Sequence, residues 1–150
     1  MGLQKILLQQ HVGTLCQAVV NVGDKVKKGS LIAKPTGLGA NIFSSVYGEV
    51  KEITKDAIII KKDENQAEEF IKLEGEDKFQ LIKDAGIVGM GGAGFPTSLK
   101  LGTKVKYILV NAAECEPLLH HNIDQIIEKT DMTIRGLKYV MEICGAQKGI

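Results

Sequence analysis

The chain has 150 residues, of which 44% are hydrophobic and 25% charged, with a formal net charge of +1. This composition is typical of a folded globular protein and argues against a disordered chain. With almost no net charge, one arginine and no tryptophan, the chain lacks the basic surface and the stacking side chains of nucleic-acid-binding proteins, so no nucleic-acid partner is expected.

Membrane insertion and disulfide bonding are also not expected. No apolar run approaches the roughly 20 residues that span a bilayer, and the first residues lack the features of a signal peptide. Cys16, Cys115 and Cys144 are odd in number and far apart, which disfavours a disulfide framework, a thiolate zinc site and a local iron–sulfur motif. The pattern is typical of a reducing cytoplasm.

Short β-strands separated by turns are predicted over residues 12–62, within a β module that we place at 1–62. Gly23-Asp24 and Lys28-Gly29 are turn signals, and Gly48 interrupts two further apolar segments. The β-branched residues that follow, through Ile60, suit a compact barrel or sandwich.

The spacing VxVGDxVxxGxxIA, followed by VxGxVxxI, resembles the biotinyl/lipoyl-like barrel-sandwich hybrid. In carrier domains of that fold, a lysine at a hairpin tip takes the cofactor. Here the tip reads PTGLGAN over residues 35–41, and the nearest lysine, Lys34, ends the preceding strand. A docking or scaffolding barrel is therefore favoured over a cofactor carrier. His11, just before the barrel, is expected to be a surface histidine, with contact to a partner as the alternative.

A charged linker is predicted at residues 63–77, with a possible strand in the segment EEFIKL, and residues 78–150 are predicted to open an α/β domain. The fold class is thus α+β: a barrel-sandwich hybrid followed by the incomplete start of an α/β domain. Asp131 is expected to cap the last helix, and residues 147–150 read as the approach to a strand that is not present. The predicted elements of this half are helices at 78–85, 96–101, 122–129 and 131–144, and a buried parallel strand at 106–111.

Glycine is concentrated in the segment GIVGMGGAGFPTSLK, from Gly86 to Lys100. Glycines permit positive φ and leave no Cβ to block a ligand, and successive amides in such a loop can bind an anion. Lys100 could place its ammonium on a phosphate or a flavin carbonyl. The spacing fits neither a P-loop nor a Rossmann fingerprint. The alternative is a glycine-rich turn that packs closely against a helix.

The segment NAAECEP follows the predicted parallel strand, at the end where open α/β sheets bind ligands. Asn111 offers a donor and an acceptor, and Glu114 and Glu116 lie on the same side of an extended chain. These carboxylates could bind a ring edge and a sugar or ribityl hydroxyl, or could be solvated loop charges. Cys115 is expected to point away and to be packed. His120 and His121 are expected to be a polar pair at a helix start, not a metal site.

The motifs GxGGAGFPTxxK and NAAECEP together resemble the flavin-binding domain of RnfC-type electron-transfer proteins and, more distantly, the NADH-oxidising flavoprotein subunit of complex I. The preceding barrel, the HxG near the start and the LLHHN after the second motif are most similar to the RnfC-like proteins of proline reductase systems, with the cobalamin reductases as close relatives. The resemblance covers roughly residues 11–145.

This resemblance implies an FMN site. NADH would be the electron donor, and electrons would pass through FMN to 4Fe-4S clusters held by a C-terminal region that is absent here. Partners would be reductase or ferredoxin-type subunits of a redox complex, in the cytoplasm or peripheral to a membrane. By itself the chain is expected to be inactive and to bind FMN weakly or not at all; the alternative function is a non-catalytic adaptor of a redox complex. The implied cofactor-binding residues are Gly89, Gly91, Gly92 and Gly94 lining the flavin cavity, Phe95 near the nicotinamide, and Lys100, Asn111, Glu114 and Glu116 on flavin polar atoms.

Overall fold

The computed structural model describes residues 2–90 and 92–150. The chain divides into two compact units, Met1–Ser98 and Leu99–Ile150. Gly91, one of the glycines assigned to the flavin cavity, lies outside the described residues. The domain boundaries placed at 62 and 78 stay a prediction.

The first unit begins with β-strands that form two antiparallel sheets. The strands are β1 (Leu3–Leu7), β2 (Cys16–Ala18), β3 (Lys25–Val26), β4 (Leu31–Pro35), β5 (Ile42–Phe43), β6 (Gly48–Ile53) and β7 (Ala57–Lys62). One sheet has the order β1-β7-β6-β3 and the other the order β2-β4-β5.

A buried cluster takes at least one residue from each of these strands, so both sheets contribute to the same core. Ile58 and Ile60 alternate along β7 and are completely buried, as is Val50 on the neighbouring strand β6. This alternation explains why β-branched residues dominate the segment, because one face of each strand packs inward.

Strand β1 is not among the elements predicted from the sequence. It pairs with β7 from Leu3 opposite Lys61 to Leu7 opposite Ala57. Leu3 is 69% exposed whereas Ile6 is 7% exposed, so its apolar residues do not mark a single buried face. The hydrophobic pattern therefore gives no clear strand signal here.

The linker does not contain the predicted strand. Residues 68–73 have no regular structure, and Ile71 donates its backbone N–H to Lys28 O at 2.9 Å. Phe70 is 61% exposed. This bond and the hydrogen bond from Tyr47 Oη to Glu69 O at 2.8 Å hold the segment on the β module without forming a ladder.

Helix α1 (Lys78–Asp84) follows the linker, as predicted, and both of its ends have clear causes. Asp77 caps the start, because its Oδ1 accepts the backbone N–H of Phe79 at 2.9 Å. At the other end Gly86 has φ +65°, and the N–H of Ile87 bonds to Ile82 O at 3.4 Å. This left-handed termination leads the chain directly into the glycine-rich segment.

Helix α2 (Thr97–Leu101) comes after Pro96, as predicted. The later elements are strand β8 (Tyr107–Ile108), helices α3 (His121–Glu128) and α4 (Thr130–Cys144), and strand β9 (Lys148–Gly149).

Strands β8 and β9 pair in parallel, with Tyr107 opposite Lys148. The final residues thus form a strand, which corrects the expectation that they only lead towards one. The predicted strand at 106–111 is shorter than expected, and Leu109 is 75% exposed and not buried. A Cβ on Gly149 would lie 2.8 Å from Leu137 Cδ2 of α4, so glycine permits the close packing of this strand on the helix.

The start of α4 also differs from its prediction. The N-cap position is Lys129, with no side-chain capping bond, and Asp131 lies inside the first turn. A negative charge there still favours the helix through its dipole. Among the described residues, no helix has both the length and the apolar character that crossing a bilayer requires.

Candidate functional site

The glycine-rich segment forms a loop that is closed at its base. The backbone N–H of Gly89 donates to Phe95 O at 2.9 Å. Next to this bond, Val88 and Pro96 form an antiparallel bridge. The described residues of the loop, 89–90 and 92–95, therefore lie between two paired ends, with α1 before them and α2 after them.

The described glycines of the loop have different surroundings. A Cβ on Gly92 would have no atom within 4 Å, and a Cβ on Gly89 would come no closer than 3.8 Å to its neighbours. Gly94 has φ +68°, and its Cβ would lie 3.0 Å from both Gln10 O and His11 Cα. Gly89 and Gly92 thus leave space that a ligand can approach, whereas Gly94 is required by the packing of the loop.

The loop rests on the β module at both of its ends. Val12 donates its backbone N–H to Ala93 O at 2.9 Å. At the other end, the Asn41 side-chain amide donates to Asp84 O at 2.9 Å, and a Cβ on Gly86 would lie 2.3 Å from Asn41 O. The contact between the β module and the loop was not predicted.

His11 is buried at this contact, so the expectation of a surface histidine is wrong. His11 is 6% exposed, and its Nε2 accepts the backbone N–H of Ala40 at 3.1 Å. Its Nδ1 lies 3.1 Å from Val12 O, and its Nε2 also lies 3.0 Å from Ala40 O. Gly13 is a sequence signal for this close packing, because a glycine is needed there: it has φ +118°, and a Cβ would lie 2.1 Å from Leu38 O.

A thiol lies beside this histidine. Cys16 Sγ is 3.4 Å from His11 Nε2 and donates to Ala40 O at 3.4 Å. Burial raises the pKa of the Cys16 thiol. The neutral thiol is a packing group here and not a nucleophile, because the thiolate is the reactive form.

Glu114 is held by the start of helix α3. Its Oε1 accepts the backbone N–H groups of Asn122 at 2.7 Å and Ile123 at 3.3 Å. Its Oε2 is buried and lies 3.2 Å from His121 Nδ1, within ion-pair distance but not aligned for a hydrogen bond. Within the described part of the chain, this oxygen has no hydrogen-bond donor.

The other residues of the NAAECEP segment are more exposed. Asn111 Oδ1 accepts the backbone N–H of Ala113 at 3.0 Å, which folds the start of the segment into a turn. Glu116 is exposed, and so is Lys100 in the last turn of α2. Cys115 is also exposed, which corrects the expectation that it is packed. Among residues 2–90 and 92–150, no group of three or more side chains is arranged to hold a metal ion.

The glycine loop lies in the first unit, and Lys100, Asn111, Glu114 and Glu116 lie in the second. The structure brings Gly89 and Phe95 together at the loop base. Convergence of the two motifs on one pocket stays a prediction, as do the roles assigned to the individual residues.

Comparison with known proteins identifies both halves of the chain. Residues 4–75 match the RnfC barrel-sandwich hybrid domain, and residues 82–150 match the Nuo51 FMN-binding domain. The predicted fold class is confirmed: a barrel-sandwich hybrid precedes a flavin-domain region of mixed helix and strand. The chain is therefore similar to RnfC over its first half and to the Nuo51 FMN-binding domain over its second.

Three relatives illustrate this likeness. The chain is 35% identical, over 95% of its length, to a subunit of the proton-translocating ferredoxin:NAD(+) oxidoreductase complex of Clostridium ljungdahlii. It is 30% identical, over 96% of its length, to the corresponding subunit of the Na(+)-translocating complex of Acetobacterium woodii. It is 39% identical to the cobalamin reductase PduS of Salmonella typhimurium over 53% of its length, which confirms that predicted relationship.

The chain spans 36%, 38% and 18% of the lengths of these three proteins. The association with proline reductase stays a prediction.

Proposed function

We propose that this chain forms part of the FMN site of an electron-transfer subunit. Electrons would come from NADH and leave through iron–sulfur clusters of a longer protein to reductase or ferredoxin-type partners. The observation that carries the proposal is the match of residues 82–150 to an FMN-binding domain, because that range contains both the glycine loop and the NAAECEP segment. By the same proposal, the protein lies in the cytoplasm or is peripheral to a membrane complex.

The described residues fit a flavin nucleotide. The space beside Gly92 admits a ligand to the main chain, and the Glu114 Oε2 atom is buried without a hydrogen-bond donor in the described chain. A buried acceptor of this kind is costly unless it is partnered, so an N–H or O–H group of a ligand would stabilise it. FMN supplies such groups on its ring edge and ribityl chain, and when bound it accepts a hydride and releases electrons singly.

The residues of the chain would bind and orient the cofactor. Gly89 and Gly92 would allow close approach to the loop backbone, and Lys100 would place positive charge at the phosphate or at a ring carbonyl. Glu114, held by α3 through its Oε1, would present its Oε2 from a fixed position. Asn111 and Glu116 would bind further polar atoms, and Phe95 would lie where a nicotinamide ring stacks.

The experiment is a titration of the isotopically labelled chain with FMN, followed by amide NMR shifts, since NMR detects weak binding. We expect amides in 89–95 and in 111–116 to shift along one binding curve. Shifts in only one segment would show that the two motifs do not share a site. No shifts up to the solubility limit of FMN would show that the two motifs do not bind FMN by themselves.

Gly92→Ala is the matched variant for this titration. Because no atom lies within 4 Å of the added methyl group, the fold should be unchanged while the methyl occupies the space proposed for FMN. We expect weaker FMN binding at unchanged stability. Unchanged affinity would remove Gly92 from the cavity.

A further inference from the structure

We propose that His11 is a positioning residue, through which the β module sets the conformation of the glycine loop. The inference rests on the proposed function only where it concerns FMN. The underlying contacts all lie within the first unit and are independent of any ligand.

The loop is supported on two backbone segments of the β module. Near its C-terminal end, Gly94 packs against the main chain of Gln10 and His11, and Ala93 O accepts the N–H of Val12. Near its N-terminal end, Gly86 abuts Asn41 O. The two supports are the turn after β1 and the hairpin between β4 and β5, and they are distant in sequence.

The His11 ring joins these two supports. Its Nδ1 bonds to Val12 O in the first, and its Nε2 accepts the N–H of Ala40 in the second. A Cβ on Gly39 would lie 2.6 Å from His11 Cε1, so the hairpin closes tightly on the ring. The ring therefore links the two surfaces against which Gly94 and Gly86 pack.

The hairpin tip thus has a different use from the tip of a carrier domain. Lys34 lies in β4, paired with Gln17, and the tip is held by His11 and by α1 through Asn41. A tip fixed in this way cannot act as a swinging arm. It acts as a rigid support for the loop.

Two variants test the inference. His11→Leu fills the site but removes the ring contacts with Val12 O and with Ala40, leaving the buried N–H of Ala40 without its acceptor. His11→Gln restores an acceptor for that N–H but not the bond to Val12 O. Ile58→Val is the control, because it alters the completely buried core of β7 without removing a contact to the loop.

The main measurement is hydrogen exchange of the flavin-free chain, followed at the amides of Val12 and Gly89, which are bonded to Ala93 O and Phe95 O. In His11→Leu we expect these amides to exchange about tenfold faster relative to the amides of β6 and β7. We expect an intermediate increase in His11→Gln and none in Ile58→Val. Unchanged relative exchange in His11→Leu would overturn the proposal.

If His11→Leu does not fold, His11→Gln decides, and unchanged exchange at Val12 and Gly89 would then overturn it. FMN titration of the same variants is the second readout. We expect the weakest binding in His11→Leu and an intermediate affinity in His11→Gln. A wild-type chain that fails to bind FMN would show that these residues do not hold FMN by themselves. The hydrogen-exchange result does not depend on FMN, so it would still decide the positioning role of His11.

Discussion

The backbone N–H of Asn122 donates to Glu114 Oε1 at 2.7 Å, although the two residues are eight positions apart in sequence. This carboxylate therefore satisfies the start of α3 in the manner of a capping residue, although it lies outside the helix. Its structural role can be separated from any role in cofactor binding.

Glu114→Ala should lower the free energy of unfolding by about 1 kcal/mol, as loss of a helix cap does. Chemical denaturation followed by circular dichroism measures the change. Glu116→Ala is the control in the same segment, because its side chain is exposed, and we expect a change within about 0.5 kcal/mol. Equal effects of the two substitutions would contradict the capping role.

Gly94→Ala should destabilise the chain by about 1–3 kcal/mol, because the residue has a left-handed backbone conformation and its Cβ would press on Gln10 and His11. Gly92→Ala should change stability by less than about 0.5 kcal/mol. Thermal or urea unfolding measures the stability of the two variants. A Gly94→Ala variant as stable as Gly92→Ala would mean that the loop does not dock as described.

Thiol reactivity should distinguish the cysteines. Cys115 is exposed, whereas Cys16 and Cys144 are 1% and 2% exposed, and burial also raises the pKa of the Cys16 thiol. A disulfide reagent should therefore label Cys115 rapidly in the native chain and label the other two only on unfolding. Cys115→Ser should abolish the rapid phase. Rapid labelling that persists in this variant would show that a buried thiol is accessible.

The acid stability of the β module should depend on Glu49. Hydrogen bonds from Lys51 and Lys25 lower the pKa of this carboxyl below its usual 4.5. A carboxyl with a lowered pKa stabilises the folded state above its unfolded pKa, and that contribution is lost as the pH falls through the folded pKa.

Glu49→Gln should therefore be less stable than the wild type at neutral pH, and the difference should vanish below the folded pKa. Urea unfolding across the acid range measures it, and added salt should reduce the difference at neutral pH. Glu52→Gln, on the same strand, is the control. A Glu49→Gln difference that persists unchanged into acid would contradict the ion pairs.

Local signals predicted the elements that depend on neighbours in sequence. The helices predicted at 78–85 and 131–144 correspond to α1 and α4. Both are cases in which the determining contacts lie within one or two helical turns.

Two of the errors concern contacts between distant residues. His11 is buried by a hairpin whose Ala40 lies 29 residues later, and no pattern around position 11 encodes that distance. Strand β9 depends on pairing with β8, about forty residues earlier along a parallel ladder. The position of Glu114 Oε2 likewise depends on a contact with a later part of the chain, because the start of α3 holds the same carboxylate through Oε1.

Gly86 ends α1 and also lies against Asn41 O, where a Cβ would come within 2.3 Å. Because each residue advances an α-helix by about 100°, inserting or deleting a single residue in α1 would rotate this glycine away from the carbonyl it abuts. The length of a seven-residue helix is thereby tied to the geometry of a hairpin more than forty positions earlier. Changes of loop length in this protein should be tolerated in the charged linker before α1, but not within the helix itself.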